Sequence, residues 1–195
     1  MSRKAVVDRK TLETDIHVEI DLDGTGKAKI DTGIGFLDHM LNSFVKHGFF
    51  DLTVSCRGDL CVDCHHSTED IGIVLGQAIL KALGDKKGIH RYGECILPMD
   101  DALVVCALDL CGRPYLGFDL PLLTEKVGNF DTELIREFYY ALSYSAMMNI
   151  HVRKLAGENT HHLIEASFKA FARALRQGVD IDPKVTGVLS AKGVI

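Results

Sequence analysis

Apolar and polar residues alternate along this chain in patterns that predict strands and helices in the same order twice. The predicted elements of the first half are a hairpin formed by residues 5–21 and 27–31 around a turn at 23–26, a helix over 36–46, a strand over 51–56 and a helix over 68–83. Those of the second half are strands over 94–97, 102–109, 115–119 and 149–155, and helices over 131–147 and 161–177. This mixture of elements indicates an α+β fold.

Residue matches at equivalent positions support an internal duplication. Pairing the segment HHSTE, which begins at His65, with HHLIE, which begins at His161, gives an offset of 96 (161 − 65). With two residues deleted before that pair, FLDHM over 36–40 falls on LIREF over 134–138, so that His39 stands opposite Glu137. We therefore predict a single domain made of two repeats, about 1–92 and 93–195, each a β-sheet packed with helices.

Length and charge exclude some classes of protein. A chain of 195 residues can bury a core without a disulfide scaffold. Lys and Arg number 22 against 27 Asp and Glu, and the net charge of −5 argues against a nucleic-acid-binding protein that depends on phosphate contacts. No apolar run approaches the roughly 20 residues of a membrane span, and residues 1–15 lack the apolar region of a signal peptide. We therefore expect a cytoplasmic protein whose six cysteines are reduced and fill strands and core.

The two HHxxE segments carry the candidate chemistry. On a helix the first His and the Glu are four residues apart and the second His and the Glu are three apart, so either pair can share a face. Imidazoles with a carboxylate suit Mn, Fe, Zn or Ni. Adjacent histidines differ by about 100° around a helix, so two neighbouring ions fit better than one. A single motif could equally be surface or capping residues, but two copies at matching repeat positions favour metal binding.

A rival metal motif overlaps the first of these segments. Residues 61–65 read CVDCH, which matches the CxxCH pattern of c-type haem attachment. Haem attachment would require export, for which the sequence gives no signal. In the second repeat Cys61 and Cys64 fall on Gly157 and Thr160, while the HHxxE is retained. The thiols are therefore the dispensable part of the motif.

Longer segments are similar to a known family. They are TLETDI from Thr11, GIGFLDHML around His39, HHSTEDIGIVLG from His65, NTHHLIEASFKAFARALRQ around His161 and SAKG ending at Gly193. On these motifs, which span essentially the whole chain, the sequence resembles the imidazoleglycerol-phosphate dehydratase family of histidine biosynthesis. The resemblance implies two similar sheet-and-helix halves of the ribosomal protein S5 domain 2-like type. It also implies a homo-oligomer of 24 subunits, with active sites between neighbours.

The reaction implied by the resemblance removes water from imidazole-glycerol phosphate and gives imidazole-acetol phosphate. The carbon-bound proton that is lost is not acidic. Two Mn ions per active site, the implied cofactor, could bind the imidazole and stabilise its imidazolate form. Loss of the adjacent hydroxyl would then leave a diazafulvene-like intermediate whose neighbouring proton is easier to remove. The expected partner is thus a small phosphate substrate, with neither nucleic acid nor membrane involved.

The resemblance also assigns ligands to the two ions, drawn from both repeats. The first ion would be held by His39, His66, Glu69 and His161. The second would be held by Glu137, His162, Glu165 and His65. The family often has His where this chain has Glu137, and a carboxylate can replace imidazole at Mn.

Substrate contacts are implied in the same way. Glu13 is the first candidate for proton transfer, and Glu69 is the second if it can leave its metal. The matched substrate positions are Glu13, His39, His47, Arg91, Arg113, Lys169, Ala191, Lys192 and Gly193. The Arg and Lys residues among them are candidates for binding the phosphate, Arg by a bidentate fork and Lys as a point charge.

Two other function classes use the same histidines without imidazole chemistry. A metal-storage protein would not need Glu13 or the basic residues. A metal-dependent hydrolase would release phosphate from esters. The residues alone leave both alternatives open.

Overall fold

The computed structural model describes residues 3–195, which form two four-stranded sheets, a short hairpin and four helices. The first half contains β1 Lys4–Lys10, β2 Thr14–Asp21, β3 Ala28–Asp31, α1 Gly35–Gly48, β4 Asp51–Gly58 and α2 His65–Leu83. The second half contains β5 Tyr92–Met99, β6 Ala102–Asp109, β7 Tyr115–Asp119, β8 Lys126–Val127, β9 Phe130–Asp131, α3 Leu134–Ala146, β10 Asn149–Ala156 and α4 Thr160–Val179. Apart from the β8–β9 hairpin, the two halves follow one order of elements.

The strand order in the two sheets is also the same. It is β1-β2-β4-β3 in the first sheet and β5-β6-β10-β7 in the second. In each sheet the first three strands are antiparallel, and the last strand is parallel to its neighbour. The predicted α+β fold with two similar halves is therefore confirmed.

The hairpin predicted around residues 23–26 is wrong. β2 and β3 both pair with β4, on its two sides, β2 antiparallel and β3 parallel. The hairpin that does form joins β1 to β2. Its turn is built by the hydroxyl of Thr11, which accepts the backbone N–H groups of Glu13 at 3.1 Å and Thr14 at 3.0 Å. Such a turn lacks the Gly or Pro that marks most turns in a sequence.

Two helices begin at other residues than the periodicity predicts. α2 begins at His65 and not at 68, so the first HHxxE lies within the helix. α3 begins at Leu134 and not at 131, because Phe130–Asp131 pairs with Lys126–Val127 as a short hairpin. The first shift places His65 and His66 in the first turn of α2, and the second places Glu137 in the first turn of α3.

The helices pair across the two halves: α1 packs on α4, and α2 packs on α3. The second pair is especially close, because α2 carries glycine at two positions that face α3. A Cβ atom added at Gly72 would lie 2.7 Å from the carbonyl oxygen of Phe138, and one at Gly76 would lie 2.7 Å from that of Leu142. These crossed pairs bring candidate ligands from opposite halves to one place.

Two expectations from composition can be compared with the structure. All six cysteines are free, and Cys56, Cys106 and Cys111 are buried as expected, whereas Cys61 is exposed. The expectation that all of them fill strands and core is therefore wrong for Cys61. In the part of the chain from 3 to 195, no helix has the length and apolar character needed to cross a membrane.

Candidate active site

Three potential metal ligands lie together where α1 meets α4. His39 Nε2 and His161 Nε2 are each 3.2 Å from Glu165 Oε2. His161 and Glu165 share one face of α4 because they are four residues apart. The α1–α4 contact brings His39 to them from the other half. One ligand atom from each residue lies within 4.8 Å of the others.

The geometry and chemistry of this cluster fit a transition-metal ion. Two ligand atoms that bind one ion at about 2.1 Å are roughly 3 Å apart, which is close to the N–O separations observed here. Two imidazoles with one carboxylate suit Mn, Fe or Zn. The side chains of His39 and His161 are 50% and 40% exposed, whereas that of Glu165 is 9% exposed. The cluster is therefore anchored by a buried carboxylate and open on its imidazole side.

Lys169 keeps the buried carboxylate ionised. Its Nζ lies 2.8 Å from Glu165 Oε1, one turn along α4. Burial alone would raise the pKa of Glu165, but the hydrogen bonds from Lys169 and His39 outweigh burial and hold that pKa below its usual value. An ionised carboxylate is the form that a metal ligand requires. Lys169, expected at the phosphate, is thus engaged with Glu165.

The corresponding residues on α2 and α3 are less closely grouped. His65 Nε2 lies 3.9 Å from Glu69 Oε2, again four residues apart. Glu137 interacts instead with Arg136, at 3.3 Å. Its side chain lines an open cleft of about 840 Å³ between the 118–125 segment and the start of α3. Within residues 3–195, His65, Glu69 and Glu137 do not converge as the first cluster does.

The second histidine of each pair turns away from these groups. His66 Nδ1 lies 3.0 Å from Asp59 Oδ2, and His162 Nδ1 lies 2.7 Å from Asp101 Oδ1. The hydrogen bond to Asp59 raises the pKa of His66. On its other side, His66 Nε2 lies 3.8 Å from the exposed carboxylate of Glu13 in the β1–β2 turn.

The two candidate arginines differ in how free they are to bind a phosphate. Arg91 donates from Nε and Nη2 to Asp109 at 2.7 and 3.0 Å, and from Nη1 to the carbonyl oxygen of Leu189 at 2.6 Å. Arg113 is exposed, and its guanidinium makes no hydrogen bond or ion pair within residues 3–195. The phosphate role of both residues stays a prediction, and Arg113 is the more available of the two.

The remaining candidates lie near the end of α1 and in the C-terminal segment. His47 is half-buried, and burial lowers its pKa, followed by the positive charges of Lys169 and Arg173. A neutral imidazole is therefore favoured there. Ala191, Lys192 and Gly193 are exposed on the segment that Arg91 contacts through Leu189.

Comparisons with known proteins identify the family. A family model described as imidazoleglycerol-phosphate dehydratase matches residues 32–175. Proteins of that name from Lachnoclostridium phytofermentans and Acetivibrio thermocellus are 60% and 57% identical to this chain over 195 residues, which is 100% of this chain and of each relative. The chain belongs to the imidazoleglycerol-phosphate dehydratase family. It is therefore an enzyme, a hydro-lyase, as the motifs predicted.

Solved structures of imidazoleglycerol-phosphate dehydratases share the fold. The crystal structure of the enzyme from Staphylococcus aureus matches with a TM-score of 0.84 at 42% identity, covering 92% of this chain and 99% of that chain. The enzyme from Pyrococcus furiosus, solved in complex with (S)-C348, matches with a TM-score of 0.84 at 38% identity, covering 97% of this chain and 100% of that chain.

The structure groups the imidazoleglycerol-phosphate dehydratase ligand candidates differently from the expected division. Glu165, expected at the second ion, lies with His39 and His161, which were expected at the first. Helical spacing would allow either histidine to join Glu165, but His162 Nδ1 lies 2.7 Å from Asp101 and His161 Nε2 lies 3.2 Å from Glu165. In the same way, Glu69 lies 3.9 Å from His65, and His66 is hydrogen-bonded to Asp59.

Two carboxylates that form hydrogen bonds with the second histidines of the HHxxE segments were missed by sequence reasoning. Asp59 stands directly after β4, and Asp101 stands directly before β6. Aspartate at a strand end is ordinary turn chemistry, so the sequence offers no sign that these two contact imidazoles.

Proposed function

We propose that this chain converts imidazole-glycerol phosphate to imidazole-acetol phosphate and water in histidine biosynthesis, and that it does so with two Mn ions per active site. The observation that carries the proposal is the convergence of His39 from α1 with His161 and Glu165 from α4. These residues lie in the long motifs of a family to which the chain is similar over its full length. A site built from both repeats fits a chemistry that needs metal and carboxylate together.

Eight side chains would hold the ions. His39, His161 and Glu165 form one group, His65, Glu69 and Glu137 are their repeat-related counterparts, and His66 and His162 contact Asp59 and Asp101. His66 and His162, which join neither group within one chain, would complete ligand groups on neighbouring subunits in the proposed assembly of 24 subunits. When bound, the ions supply Lewis-acid stabilisation of the substrate's imidazole in its deprotonated form. A cytoplasmic location is part of the same proposal.

Glu13 would move the proton. Its carboxylate is exposed on the β1–β2 turn, 3.8 Å from His66 Nε2, so it stands beside the proposed metal ligands without being buried among them. It would accept the carbon-bound proton next to the carbon that loses its hydroxyl group. The hydroxyl and one hydrogen leave as water, and the enol that remains becomes the ketone. Glu69 is the second candidate for this proton.

The basic residues would hold the phosphate. Arg113 is exposed and can offer a bidentate fork, and Lys192 is exposed on the C-terminal segment. Lys169 and Arg91 form ion pairs with Glu165 and Asp109, so they would contribute positive charge around the substrate and few free hydrogen-bond donors. Holding the phosphate fixes the imidazole end of the substrate relative to the proposed ions.

The test is turnover of imidazole-glycerol phosphate by the purified protein before and after chelation. We expect activity to be lost with the chelator and restored by Mn. His161→Ala should abolish activity, whereas His151→Ala, an exposed histidine on β10, is the matched control and should retain it. Activity that is unaffected by chelation would contradict Mn dependence. Release of inorganic phosphate in place of the ketone product would instead identify a hydrolase.

A further inference from the structure

The second histidines of the two HHxxE segments, His66 and His162, share one arrangement despite lying in different halves. In each, Nδ1 is hydrogen-bonded to a carboxylate: His66 to Asp59 at 3.0 Å, and His162 to Asp101 at 2.7 Å. Each ring is partly exposed, with 35% and 28% of the side chain accessible. A carboxylate accepts hydrogen bonds and cannot donate them, so it places the imidazole proton on Nδ1 and leaves the lone pair on Nε2.

The two carboxylates come from different positions of the repeat. Asp59 directly follows β4, and the residue that directly follows β10 is Gly157. Asp101 directly precedes β6, and the residue that directly precedes β2 is Glu13. The same contact is therefore built twice from unrelated sequence positions, which duplication by itself would not produce.

Backbone geometry explains why the second half cannot use the position of Asp59. Gly157 has φ +101°, and a Cβ atom added there would lie 2.6 Å from the Cα of Ala102 and 2.8 Å from the carbonyl oxygen of Asp101. A side chain at this position would be strained and would collide with backbone. The facing turn supplies the carboxylate instead, from Asp101.

Asp101 is itself held in place. Its Oδ2 accepts the backbone N–H groups of Glu158 at 2.8 Å and Asn159 at 3.0 Å, while Oδ1 binds His162. The N–H groups of Asn159 and Glu158, followed by His162, hold the pKa of Asp101 well below its usual range. Asp59 is less tied: its Oδ2 binds His66, and within the described chain its Oδ1 is buried without a hydrogen-bond partner.

We infer that Asp59 and Asp101 are positioning residues, which fix the tautomer and ring orientation of His66 and His162 so that each presents its Nε2 lone pair to a metal ion. The carboxylates of Glu13 and Asp100 lie 3.8 and 3.6 Å from these two Nε2 atoms, beyond hydrogen-bond distance. The inference rests on the proposed Mn-dependent function. Carboxylates that accept the second N–H of a ligating histidine typically account for 10–100-fold in metal affinity. Asp59 is the cleaner test, because within the described residues its carboxylate hydrogen-bonds only with His66, whereas Asp101 also supports the loop before α4.

The experiment measures Mn binding by the intact assembly in equilibrium dialysis, for wild type, Asp59→Asn, His66→Ala and the double variant. We expect Asp59→Asn to weaken Mn binding about 10–100-fold at the affected sites. In the His66→Ala background the same substitution should have no further effect, because Asp59 acts only through His66. Asp119→Asn, an exposed carboxylate paired with Arg153, is the control and should bind Mn as wild type does.

The unfolding midpoint of the metal-free protein separates an effect of Asp59 on metal binding from an effect on the stability of the fold. That midpoint should be the same for wild type and Asp59→Asn, while the Mn affinity differs. Asp101→Asn tests the second half, and Asp101→Glu should recover part of its affinity by restoring a carboxylate. Equal weakening by Asp59→Asn in both backgrounds, or unchanged affinity in Asp59→Asn and Asp101→Asn, would overturn the inference. Absence of Mn binding in the wild type would refute the proposed function, and the inference with it.

Discussion

Arg91→Ala is expected to remove the contact that holds the C-terminal segment to β5 and β6, as well as a positive charge. Arg91 stands just before β5 and reaches Asp109, the last residue of β6, through a two-pronged contact at 2.7 and 3.0 Å. Its third group, Nη1, holds the carbonyl oxygen of Leu189 at 2.6 Å. Leu189 lies two residues before Ala191, the first of the C-terminal substrate candidates. One side chain thus ties two strands to that segment.

The cost of the substitution follows from burial. An exposed ion pair contributes about 0–1 kcal/mol, whereas breaking a buried pair from one side costs about 3–5 kcal/mol, because a charge is left without a partner. The side chains of Arg91 and Asp109 are 11% and 19% exposed, so the pair lies near the buried limit. We expect a loss of about 3 kcal/mol, which for a chain of this size lowers the unfolding midpoint by roughly 6–12 °C.

The assay combines thermal unfolding with steady-state kinetics. Arg113→Ala is the matched control, because its guanidinium is exposed and makes no ion pair within the described residues. It should leave stability within about 0.5 kcal/mol of wild type and, if Arg113 binds the phosphate, raise KM about tenfold or more. Arg91→Lys, which keeps the charge but not the fork, should fall between wild type and Arg91→Ala in stability. Equal unfolding midpoints for Arg91→Ala and Arg113→Ala would refute the reasoning.

Three further predictions test the ligands, the packing and the pH dependence. Glu137→Ala should lose about one Mn per subunit, measured by elemental analysis, and most of the activity, whereas Glu137→His should keep the metal and the activity. Glu133→Ala, at an exposed residue before α3, is the control. Full metal content in Glu137→Ala would show that Glu137 is not a ligand. Gly72→Ala should destabilise the fold by about 1–2 kcal/mol, because the new Cβ would lie 2.7 Å from a backbone carbonyl oxygen; this outweighs the preference of helices for alanine over glycine, which is about 1 kcal/mol. Gly35→Ala is the control and should not destabilise the fold, because the space around Gly35 is open. Equal stability of the two variants would count against the close approach of α2 and α3. Backbone N–H groups of the 25–27 loop hold the pKa of Asp51 below its usual value. The ionised Asp51 carboxylate therefore stabilises the fold above about pH 4, and this stabilisation is lost as the pH falls through the folded-state pKa. The difference in unfolding midpoint between wild type and Asp51→Asn should shrink toward low pH, and a constant difference would contradict the prediction.

The helices and most strands could be predicted because their apolar spacing is strong. The failures come from contacts that spacing does not encode. The β1–β2 turn is made by the Thr11 hydroxyl, which looks like an ordinary strand residue, while the Gly-rich 23–26 segment leads β3 to the far side of β4. The two-residue strands β8 and β9 are too short to show alternation, and they delay the start of α3.

The candidate site could be predicted in its residue types but not in its pairing. The spacing of HHxxE allowed either histidine to join the glutamate, and only the folded helices show that the first one does, at His161 with Glu165. His39 and Glu165 are 126 positions apart and meet at 3.2 Å, so no local pattern could connect them. Asp59 was hidden for a different reason, because a carboxylate at a strand end is common in turns without contacting any imidazole.

The crossed pairing of helices explains why neither half could form the candidate site alone. α1 of the first half packs on α4 of the second, and α2 of the first packs on α3 of the second. A single half would therefore carry an HHxxE pair without the facing ligand that His39 or Glu137 provides, and the part of each helix that packs on the other half would be exposed to water. Burying those faces against a second copy is the same event that brings His39 to Glu165. Folding stability and assembly of the ligand group thus depend on one set of contacts, so a substitution that separates α1 from α4 should weaken both together.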